Sequence, residues 1–493
     1  MRRFRIFYLL GIMLLFMAMT MLLSFLWAIF EQGPDRPAFL YAILTTAAAG
    51  LFLFWFFSQG RRSEMSLVEN FTLVALAWFV AGIFGALPYH FYGLFDGNFI
   101  DAYFEAVSGF TTTGATLIDN VESLPRGILL WRGFTQWLGG MGIIVLFLAI
   151  LPRFGFRSMT MFKAELPGPI AEKMVPRVAE TARRLWLIYV FLTFMEIVLL
   201  MICGIGFYDS LAHALTTMPT GGFSTYNASI AAFNNPAAEI VIIFFMFFAG
   251  INFVLYFRLL RGDFSVYKNP ELRFYTLIII VSIALVTVNI YGQAGGEIFT
   301  ALRQAAFQVV SIITTTGYTT EDFDAWHHFS RNFLLLAMFI GACGGSTGGS
   351  VKQVRWMLML KYSLRELYRL IHPKAISPVK IGDQMLTDEV LRPVMGFGFL
   401  YLFISGIGTL ALSAMGLDLD TAFSAVAATI GNVGPGLGQV GPTHTYQVVP
   451  PLGKVLLSIL MVVGRLEIFT VLVIFLPESR RLWLRALHTS SRP

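Results

Sequence analysis

Long runs of apolar residues, separated by short polar segments, extend along nearly the whole chain. The runs are continuous and do not alternate apolar with polar residues, so they do not have the pattern of membrane β-barrel strands. Many reach the roughly 20 residues that an α-helix needs to cross a bilayer. The pattern therefore predicts membrane-spanning helices. They cover residues 6–30, 37–58, 67–93, 130–151, 184–207, 236–257, 273–293, 332–360, 392–416 and 450–476.

Four shorter apolar segments lie between predicted spans, at residues 99–112, 209–219, 297–314 and 418–430. The first would be about 21 Å long as a helix, which is too short to cross. Such a segment must enter the membrane and turn back, and irregular backbone at that depth is tolerated only inside protein or beside a water-filled path. Each short helix would direct its partly negative C-terminal end at the membrane centre, which favours a cation there.

A turn rich in glycine and hydroxyl residues follows each short segment. Its four copies are Ser108–Thr116, Thr217–Thr225, Ser311–Thr320 and Ala428–Gly436, and their alignment places Gly114, Gly222, Gly317 and Gly434 at one position. Glycine behind small hydroxyl residues lets the backbone turn its carbonyl groups to one side. Four such turns around an axis would make a ring of oxygens that replaces the water of a cation. One Thr-x-Gly alone is more often a helix-ending turn; four in order favour a shared role.

The repeat predicts the fold class. We expect an all-α polytopic membrane protein with four pseudo-symmetric helix–pore-loop–helix units around a central ion pore, plus two extra N-terminal helices. This arrangement has ten crossings and four re-entrant half-helices. The predicted divisions are an N-terminal extension at 1–66, pore unit 1 with a cytosolic linker at 67–183, unit 2 at 184–272, unit 3 with a broken inner helix at 273–391, and unit 4 with a cytosolic tail at 392–493.

Composition and charge agree with this topology. The 493 residues are 56% hydrophobic and 13% charged, with a mean hydropathy of +0.71, which excludes an ordinary soluble domain. Lys and Arg collect in every second loop, so both termini are expected in the cytoplasm. This asymmetry explains the net charge of +6 without nucleic acid. The apolar run ending at Phe30 is too long for an ordinary signal peptide, and we expect it to be retained as the first helix.

Acidic residues concentrate in the loops predicted to lie outside. They include Asp96, Asp101, Glu105, Asp119, Glu122, Glu321, Asp322 and Asp324. An acidic vestibule would concentrate cations before they enter a pore. Ordinary solvated loops have the same composition, and the sequence leaves these two interpretations open.

The predicted inner helix of unit 3 contains the segment Gly341–Ser350, in which five of ten residues are glycine. Each glycine costs a helix about 1 kcal/mol relative to alanine, so we expect the helix to break in mid-membrane. A phosphate-binding loop would need Gly-Lys-Ser/Thr, which is absent, and Lys352 is displaced from that pattern. Close helix packing through small residues is the stronger structural alternative.

Arg465 lies deep in the last apolar run, where a charge is costly unless it faces a cavity or a partner. We expect it under the glycine turns, where it would oppose ion passage when the path is closed. The structural alternative is an ion pair with Glu467 or another carboxylate, although residues two apart on a helix do not face each other. Glu196 and Glu239 are interpreted as packing or interface residues.

Four glycine turns in one chain resemble the Trk/Ktr/HKT potassium-transporter superfamily. Trp137–Ile143 (WLGGMGI), Ala164–Pro169 (AELPGP), Ala179–Tyr189 and the two extra N-terminal helices narrow this to the bacterial Trk-system potassium uptake proteins. The resemblance covers essentially the whole chain. It implies a homodimer with one pore in each chain, in the bacterial inner membrane. It also implies a separate cytosolic, nucleotide-binding ring subunit that regulates transport, with potassium as the substrate and no bound cofactor.

The resemblance carries the potassium filter onto twelve residues: Thr112, Thr113, Gly114, Thr220, Gly221, Gly222, Thr315, Thr316, Gly317, Asn432, Val433 and Gly434. Sodium-favouring relatives have serine at the position of Gly114, so potassium selectivity is expected. The second turn, with Pro219 and Gly221, and the fourth, with Asn432, depart from the threonine-rich form. The walls of the ring are therefore expected to differ chemically.

The same resemblance implies an intramembrane gate formed by Gly344, Gly345, Ser346, Thr347, Gly348 and Gly349 together with Arg465. The basic inner loop 361–391 is expected to contact either membrane lipid or a cytosolic partner. The units share one orientation, which argues against an alternating-access symporter built from inverted repeats. Neither metal-ligand spacing nor a catalytic nucleophile is evident, so an enzyme is not expected. Channel-like and proton-coupled flux both remain open.

Overall fold

The structure, a computed structural model, describes residues 2–58, 67–142, 178–375, 377–382 and 384–473, and most of these residues are helical. Several sequence predictions lie outside the described residues. They are the loop 59–66, the end of the first inner helix from residue 143, the linker that contains Ala164–Pro169, and the tail from residue 474.

Two N-terminal helices form a hairpin. Helix α1 (Arg2–Phe30) packs along α2 (Arg36–Phe56), and the hairpin then contacts the first unit. The two helices approach closely where Gly11 faces Gly50, because a β-carbon on Gly11 would lie 2.9 Å from the Gly50 carbonyl oxygen. Small residues allow this approach, as in other membrane helix pairs.

Unit 1 begins with α3 (Leu67–Gly85), which continues as the short α4 (Leu87–Tyr92). The half-helix α5 (Phe99–Phe110) follows, and the Asn98 side chain caps it by accepting from the Ile100 amide at 3.0 Å. Helix α6 (Arg126–Gly140) begins four residues before the predicted start at 130.

Unit 2 contains α7 (Val178–Ile202) and the half-helix α8 (Phe207–Thr217). The prediction of one continuous inner helix over 236–257 is wrong. Helix α9 (Pro236–Ala249) ends and α10 (Phe253–Leu260) leaves at an angle of 94°. At the break, the Phe253 amide donates to a carbonyl of unit 3 and the Gly250 carbonyl accepts from an amide of unit 3, so these groups are satisfied without a continuous helix.

Unit 3 contains α11 (Pro270–Ile290) and the half-helix α12 (Ile298–Ile313). Its inner helix is divided into α13 (His328–Ala337) and α14 (Gln353–Ile371), so the structure has the break that the glycine-rich segment predicted. The connection between these two helices, residues 338–352, contains the segment that the sequence predicts as a gate, and it is named the gate loop for that prediction.

Unit 4 contains α15 (Asp388–Ala414) and the half-helix α16 (Leu419–Ile430), which the Asp418 side chain caps. The predicted continuous inner helix over 450–476 is also wrong. Helix α17 (Pro451–Arg465) stops and the short α18 (Ile468–Leu472) follows. Glu467, between them, has a left-handed φ of 58°, which a regular helix does not contain.

The remaining regular structure is short. The predicted all-helical fold omitted one hairpin, β1 (Val379–Ile381) paired antiparallel with β2 (Gln384–Leu386), in which Val379 faces Leu386. Single 3₁₀ turns lie at Val121–Ser123, Ser229–Phe233, Phe264–Lys268, Phe323–Ala325, Gly438–Val440 and Tyr446–Val448.

Among the described residues, six helices are long and apolar enough to cross a membrane, and the bent α9–α10 pair makes a seventh candidate. The half-helices are shorter and lie in the interior. Nine of the twelve residues of α16 are buried, whereas α2 and α15 expose many large apolar side chains. A core of half-helices within a shell of long apolar helices therefore positions the four glycine turns at the centre.

Candidate functional site

Each half-helix ends in the same hydrogen-bonded turn. In unit 1 the Thr113 amide donates to the Ser108 carbonyl at 2.9 Å and the Thr112 amide to Gly109 at 2.9 Å. This pair of bonds is the Schellman arrangement that closes a helix C-terminus. The equivalent bonds in units 2, 3 and 4 join Gly221 to Thr216, Thr220 to Thr217, Thr316 to Ser311, Thr315 to Ile312, Val433 to Ala428 and Asn432 to Thr429.

The first residue of each turn is strained. Thr112, Thr220, Thr315 and Asn432 have φ values of 55°, 58°, 62° and 53°. A left-handed conformation is unusual for any residue other than glycine and is a true outlier for β-branched threonine. Strain of this kind costs about 1–3 kcal/mol for each residue and clusters at functional sites. Three threonines and one asparagine hold this conformation at equivalent places, which points to a shared functional role.

The four aligned glycines close a ring. All have positive φ, and a β-carbon built on Gly114 would overlap the carbonyl oxygen of Gly221 in the next unit. The same relation joins Gly222 to the oxygen of Thr316 and Gly317 to that of Val433. It joins Gly434 back to the oxygen of Thr113, at 2.6 Å. Each glycine thus abuts the middle residue of the following turn, in the order 1, 2, 3, 4 and back to 1, so the four turns surround one axis.

Side chains from neighbouring units hold the ring. Gln136 on α6 donates through Nε2 to the Gly221 carbonyl at 2.6 Å, and its Oε1 accepts from the Phe223 amide at 3.1 Å. In the fourth turn, Asn432 donates through Nδ2 to Thr113 Oγ1 at 2.9 Å and to the Met461 carbonyl at 3.0 Å. These bonds connect unit 1 to units 2 and 4.

A buried ion pair lies behind the first turn. Arg132 and Glu105 are 2.9 Å apart with side chains 2% and 0% exposed. Arg132 also donates to the Ser224 carbonyl at 3.2 Å, while Glu105 accepts from Thr116 Oγ1 and the Leu117 amide. Replacing one residue of such a pair leaves the other charge buried without a partner, which destabilises a protein far more than replacing both by apolar residues. The pair therefore joins the segments that follow the first and second turns.

Tyrosines connect the other segments. The Tyr318 hydroxyl bonds to Thr216 Oγ1 and donates to the His213 carbonyl, joining unit 3 to unit 2. The Tyr446 hydroxyl donates to the Gly434 carbonyl at 2.7 Å, and its amide donates to the Thr116 carbonyl at 2.9 Å. Units 3 and 4 are joined by the Gly438 amide, which donates to Asp324 Oδ2 at 3.0 Å, so every pair of adjacent units is bridged.

Two cavities lie on opposite sides of the turns. The segments that follow the turns line the first, which all four aligned glycines, Asp119 and His444 border. The second is lined by Gly345 and other residues of the gate loop, by the end of α6 and by Arg465. A path between the cavities would pass through the ring.

The gate loop packs directly against the turns. The Gly349 amide donates to Thr315 Oγ1 at 2.7 Å. A β-carbon on Gly348 would lie 2.9 Å from the Thr314 carbonyl oxygen, and one on Gly349 would overlap that of Gly431. The loop therefore occupies the space next to turns 3 and 4, and its glycines allow it to approach this closely.

Two cations bind main-chain oxygens at the second cavity, the buried Lys352 and the partly buried Arg465. Arg465 donates to the Thr347 carbonyl at 2.7 Å and to the carbonyls of Gly139 and Gly140 at 2.7 and 2.8 Å. Glu467, one of the partners considered for Arg465, pairs with Arg355. Arg465 instead ties the gate loop to the end of α6.

Lys352 is the second cation. Only 3% of it is exposed, and its ammonium donates to the carbonyls of Ser346 (3.3 Å) and Gly348. In the sequence, Lys352 is only a lysine displaced from a phosphate-loop pattern. The tertiary structure places its ammonium against the carbonyls of the predicted gate.

The predicted acidic vestibule includes residues with other roles. Glu105 is not a solvated loop residue but the buried partner of Arg132. Asp101 pairs with Lys454 and Asp324 with Arg331. Asp119 remains at the first cavity, where it accepts from Thr445 Oγ1 at 2.6 Å.

The two isolated acids differ from each other. Glu239 pairs with Arg303. The Glu196 carboxyl is fully buried on α7, and no hydrogen-bond partner for it lies in the part of the chain that the structure describes. Across these same residues, no group of three or more His, Cys, Asp or Glu side chains is placed to hold a metal ion.

The structure thus brings all twelve predicted filter residues into one ring and places the predicted gate residues and Arg465 beside it. Sequence reasoning missed the supports, namely Gln136, Arg132 and Lys352. Each is a polar or charged residue within a largely apolar or glycine-rich stretch, and this is the signal that could have identified them.

Comparisons with known proteins agree on one family. The TrkH model, described as cation transport protein, matches residues 36–485. The Trk system potassium uptake protein TrkH of Salmonella typhimurium is 41% identical over 479 residues, covering 96% of this chain and 98% of that protein. TrkH of Halomonas elongata is 39% identical with the same coverage. The crystal structure of the potassium transporter TrkH from Vibrio parahaemolyticus superposes with a TM-score of 0.87 at 35% identity, covering 97% of this chain and 99% of that one.

Proposed function

This chain belongs to the TrkH family of cation transport proteins, and from that membership we propose that it takes up potassium across the bacterial inner membrane through the ring of four turns. The family is one of transporters and not of enzymes. Potassium is the transported substrate, and no cofactor is required.

The closed ring carries this proposal. The middle carbonyls of three turns, Thr113, Thr316 and Val433, accept no hydrogen bond from the described residues, and the fourth, Gly221, accepts one from Gln136. Main-chain oxygens without donors at a membrane protein's centre need a cation or water. A dehydrated potassium ion satisfies them, and the carbonyl ring replaces its hydration shell.

The gate loop and its two cations form the proposed barrier below the filter. Potassium leaving the ring toward the second cavity would meet Gly348 and Gly349 pressed against turns 3 and 4, with Lys352 and Arg465 alongside. Both steric blockage and like-charge repulsion oppose its passage. Opening requires the loop to move and both cations to exchange their carbonyl partners.

The wider architecture follows from the repeat. We assign ten crossings with four re-entrant half-helices, the division into an extension and four units at 66/67, 183/184, 272/273 and 391/392, and cytoplasmic termini. A homodimer and control by a cytosolic nucleotide-binding subunit complete the proposal. The long apolar helices and the short inner loops support it, because a regulatory domain needs more residues than these loops contain.

Substitution of Gly114 by serine tests the filter. We expect Gly114→Ser to reduce the preference for potassium over sodium, because the new side chain must displace the Gly221 carbonyl. This preference is measured as the ratio of rubidium uptake to sodium uptake into vesicles containing the purified chain, with rubidium as the tracer for potassium. Gly97→Ser is the matched control, since Gly97 has the same φ of 82° with no atom within 4 Å of its β-carbon position. If Gly114→Ser folds and retains its preference, the filter assignment is wrong.

A further inference from the structure

A segment links the inner helix of unit 2 to the outer helix of unit 3, and each end of this segment is hydrogen-bonded to the gate loop. We define residues 250–271 as the strap. At its start, the Gly250 carbonyl accepts from the Cys343 amide and the Phe253 amide donates to the Gly345 carbonyl, both at 3.0 Å. At its far end, Glu271 Oε1 accepts from the Gly344 amide at 2.6 Å. Three consecutive gate-loop residues are therefore bonded to the two ends of one segment.

The outer part of the strap, residues 261–269, lies at the membrane surface. It connects α10, the second half of a bent candidate span, to the candidate span α11, and the 94° bend directs α10 away from the axis of α9. Large apolar side chains of the strap are nevertheless exposed: Leu260 (76%), Phe264 (70%) and Tyr267 (61%). Exposed apolar residues on a segment at this position are typical of helices that lie in the lipid interface.

Two cations accompany these apolar residues. Arg258 is paired with Asp263 and is therefore neutralised. Ser265 and Arg258 both donate to the Asp263 carboxylate, and these hydrogen bonds hold the pKa of Asp263 below its ordinary value. Arg261 and Lys268 are exposed and have no carboxylate partner among the described residues. Both lie on the side of the membrane to which the basic loops assign the cytoplasm.

We propose that the strap binds the headgroup of an anionic lipid of the inner leaflet through Arg261 and Lys268, with Leu260, Phe264 and Tyr267 inserted among the acyl chains, and that this lipid favours the closed gate. A lipid surface fits better than a soluble anion, because the exposed apolar side chains and the two exposed cations lie within one nine-residue stretch, 260–268. Lipid that holds the strap in place also preserves the bonds of Phe253 and Glu271 to the loop, and so shifts the equilibrium toward the arrangement described. The regulatory part rests on the proposed gate, and the binding part does not.

Binding is tested on the full chain purified from membranes containing phosphatidylglycerol, with the retained lipid measured by mass spectrometry. We expect Arg261→Gln with Lys268→Gln to reduce affinity by about fivefold for each charge removed. Arg36→Gln, at an exposed arginine of α2 outside both the strap and the 361–391 loop, should retain as much lipid as the parent. Equal retention by the double variant and the parent would mean that the strap faces a protein or solvent, and the lipid assignment would be wrong.

Regulation is tested by potassium uptake into vesicles of phosphatidylcholine with and without phosphatidylglycerol. The anionic lipid should lower uptake by the parent about fivefold and leave the double variant unchanged. Glu271→Leu removes the oxygen that accepts from the Gly344 amide, so this variant should keep the bound lipid but lose its effect on uptake. Uptake insensitive to lipid in the parent overturns the regulatory part.

If inorganic phosphate reproduces the inhibition in phosphatidylcholine vesicles, the site takes a soluble anion instead. A parent that transports no potassium in any vesicle contradicts the proposed function, while lipid retention still decides the binding site.

Discussion

The filter ring and the gate loop are both irregular, glycine-containing backbone at the centre of the protein, yet different groups hold them. Each filter turn satisfies its amides within its own half-helix, as Thr113 does with Ser108. The gate loop depends on other parts of the chain: the Cys343 amide bonds to Gly250, the Gly344 amide to Glu271 and the Gly349 amide to Thr315. Local bonds make the ring a fixed element. Because the loop's amides bond to groups in other parts of the chain, these bonds can break and the loop can move without unfolding a helix.

The ring should therefore tolerate change least. We expect Gly222→Ala to reduce potassium uptake by more than about tenfold, because the methyl group would overlap the Thr316 carbonyl oxygen and strain of 1–3 kcal/mol or more acts directly on the ion site. Uptake by reconstituted protein measures the loss.

Gly93→Ala separates the overlap from backbone strain. Gly93 has a φ of 78°, close to the 77° of Gly222, but no atom lies within 4 Å of its β-carbon position. This control should lose about 1 kcal/mol of stability, with uptake and selectivity unchanged. Similar behaviour of the two alanine variants would show that close approach around the ring is unimportant.

The gate loop should respond in the opposite direction. We expect Lys352→Met to raise uptake by about tenfold in the absence of any regulatory protein, because a unit charge beside the path adds at least about 1.4 kcal/mol to the barrier. The preference for potassium over sodium should not change, since the ring is intact. Lys352→Arg keeps the charge and should keep the low rate. A folded Lys352→Met protein with unaltered uptake would remove this residue from the gate.

A smaller effect should follow from one hydroxyl. Thr347 donates to the carbonyls of Met218 and Ala249 in unit 2, at 3.0 and 3.2 Å. Thr347→Val removes these bonds and should raise uptake about two- to fivefold, the value of a hydrogen bond of about 0.5–1 kcal/mol. Ser350→Ala is the matched control, because Ser350 bonds within unit 3 to the Met338 carbonyl. Equal effects of both variants would mean that attachment to unit 2 does not control the loop.

Local signals predicted the half-helices closely. The segment predicted at 99–112 is the helix Phe99–Phe110, and that predicted at 418–430 is Leu419–Ile430. Apolar length, capping residues such as Asn98 and glycine at the end of each turn are properties of neighbouring residues. They can be recognised without knowledge of the remaining chain.

The broken inner helices could not be recognised in this way. Nothing in the apolar run 236–257 requires a 94° bend, because glycine and asparagine, the residue types at 250 and 252, are also found inside helices. The bend depends on bonds from Gly250 and Phe253 to Cys343 and Gly345, which lie about 90 residues further along the chain. The identity of Arg465's partners is decided in the same way, because the carbonyls of Gly139, Gly140 and Thr347 belong to other units.

The sequence by itself determined that this protein is helical, lies in a membrane and contains four equivalent glycine turns, because apolar length and turn chemistry act over a few residues. The tertiary structure decided that the turns close head to tail into one ring. It also decided that Glu105 is buried rather than solvated and that Lys352 lies beside the gate. These features depend on which distant carbonyls and carboxylates meet a given side chain, and residue spacing along the chain does not contain that information.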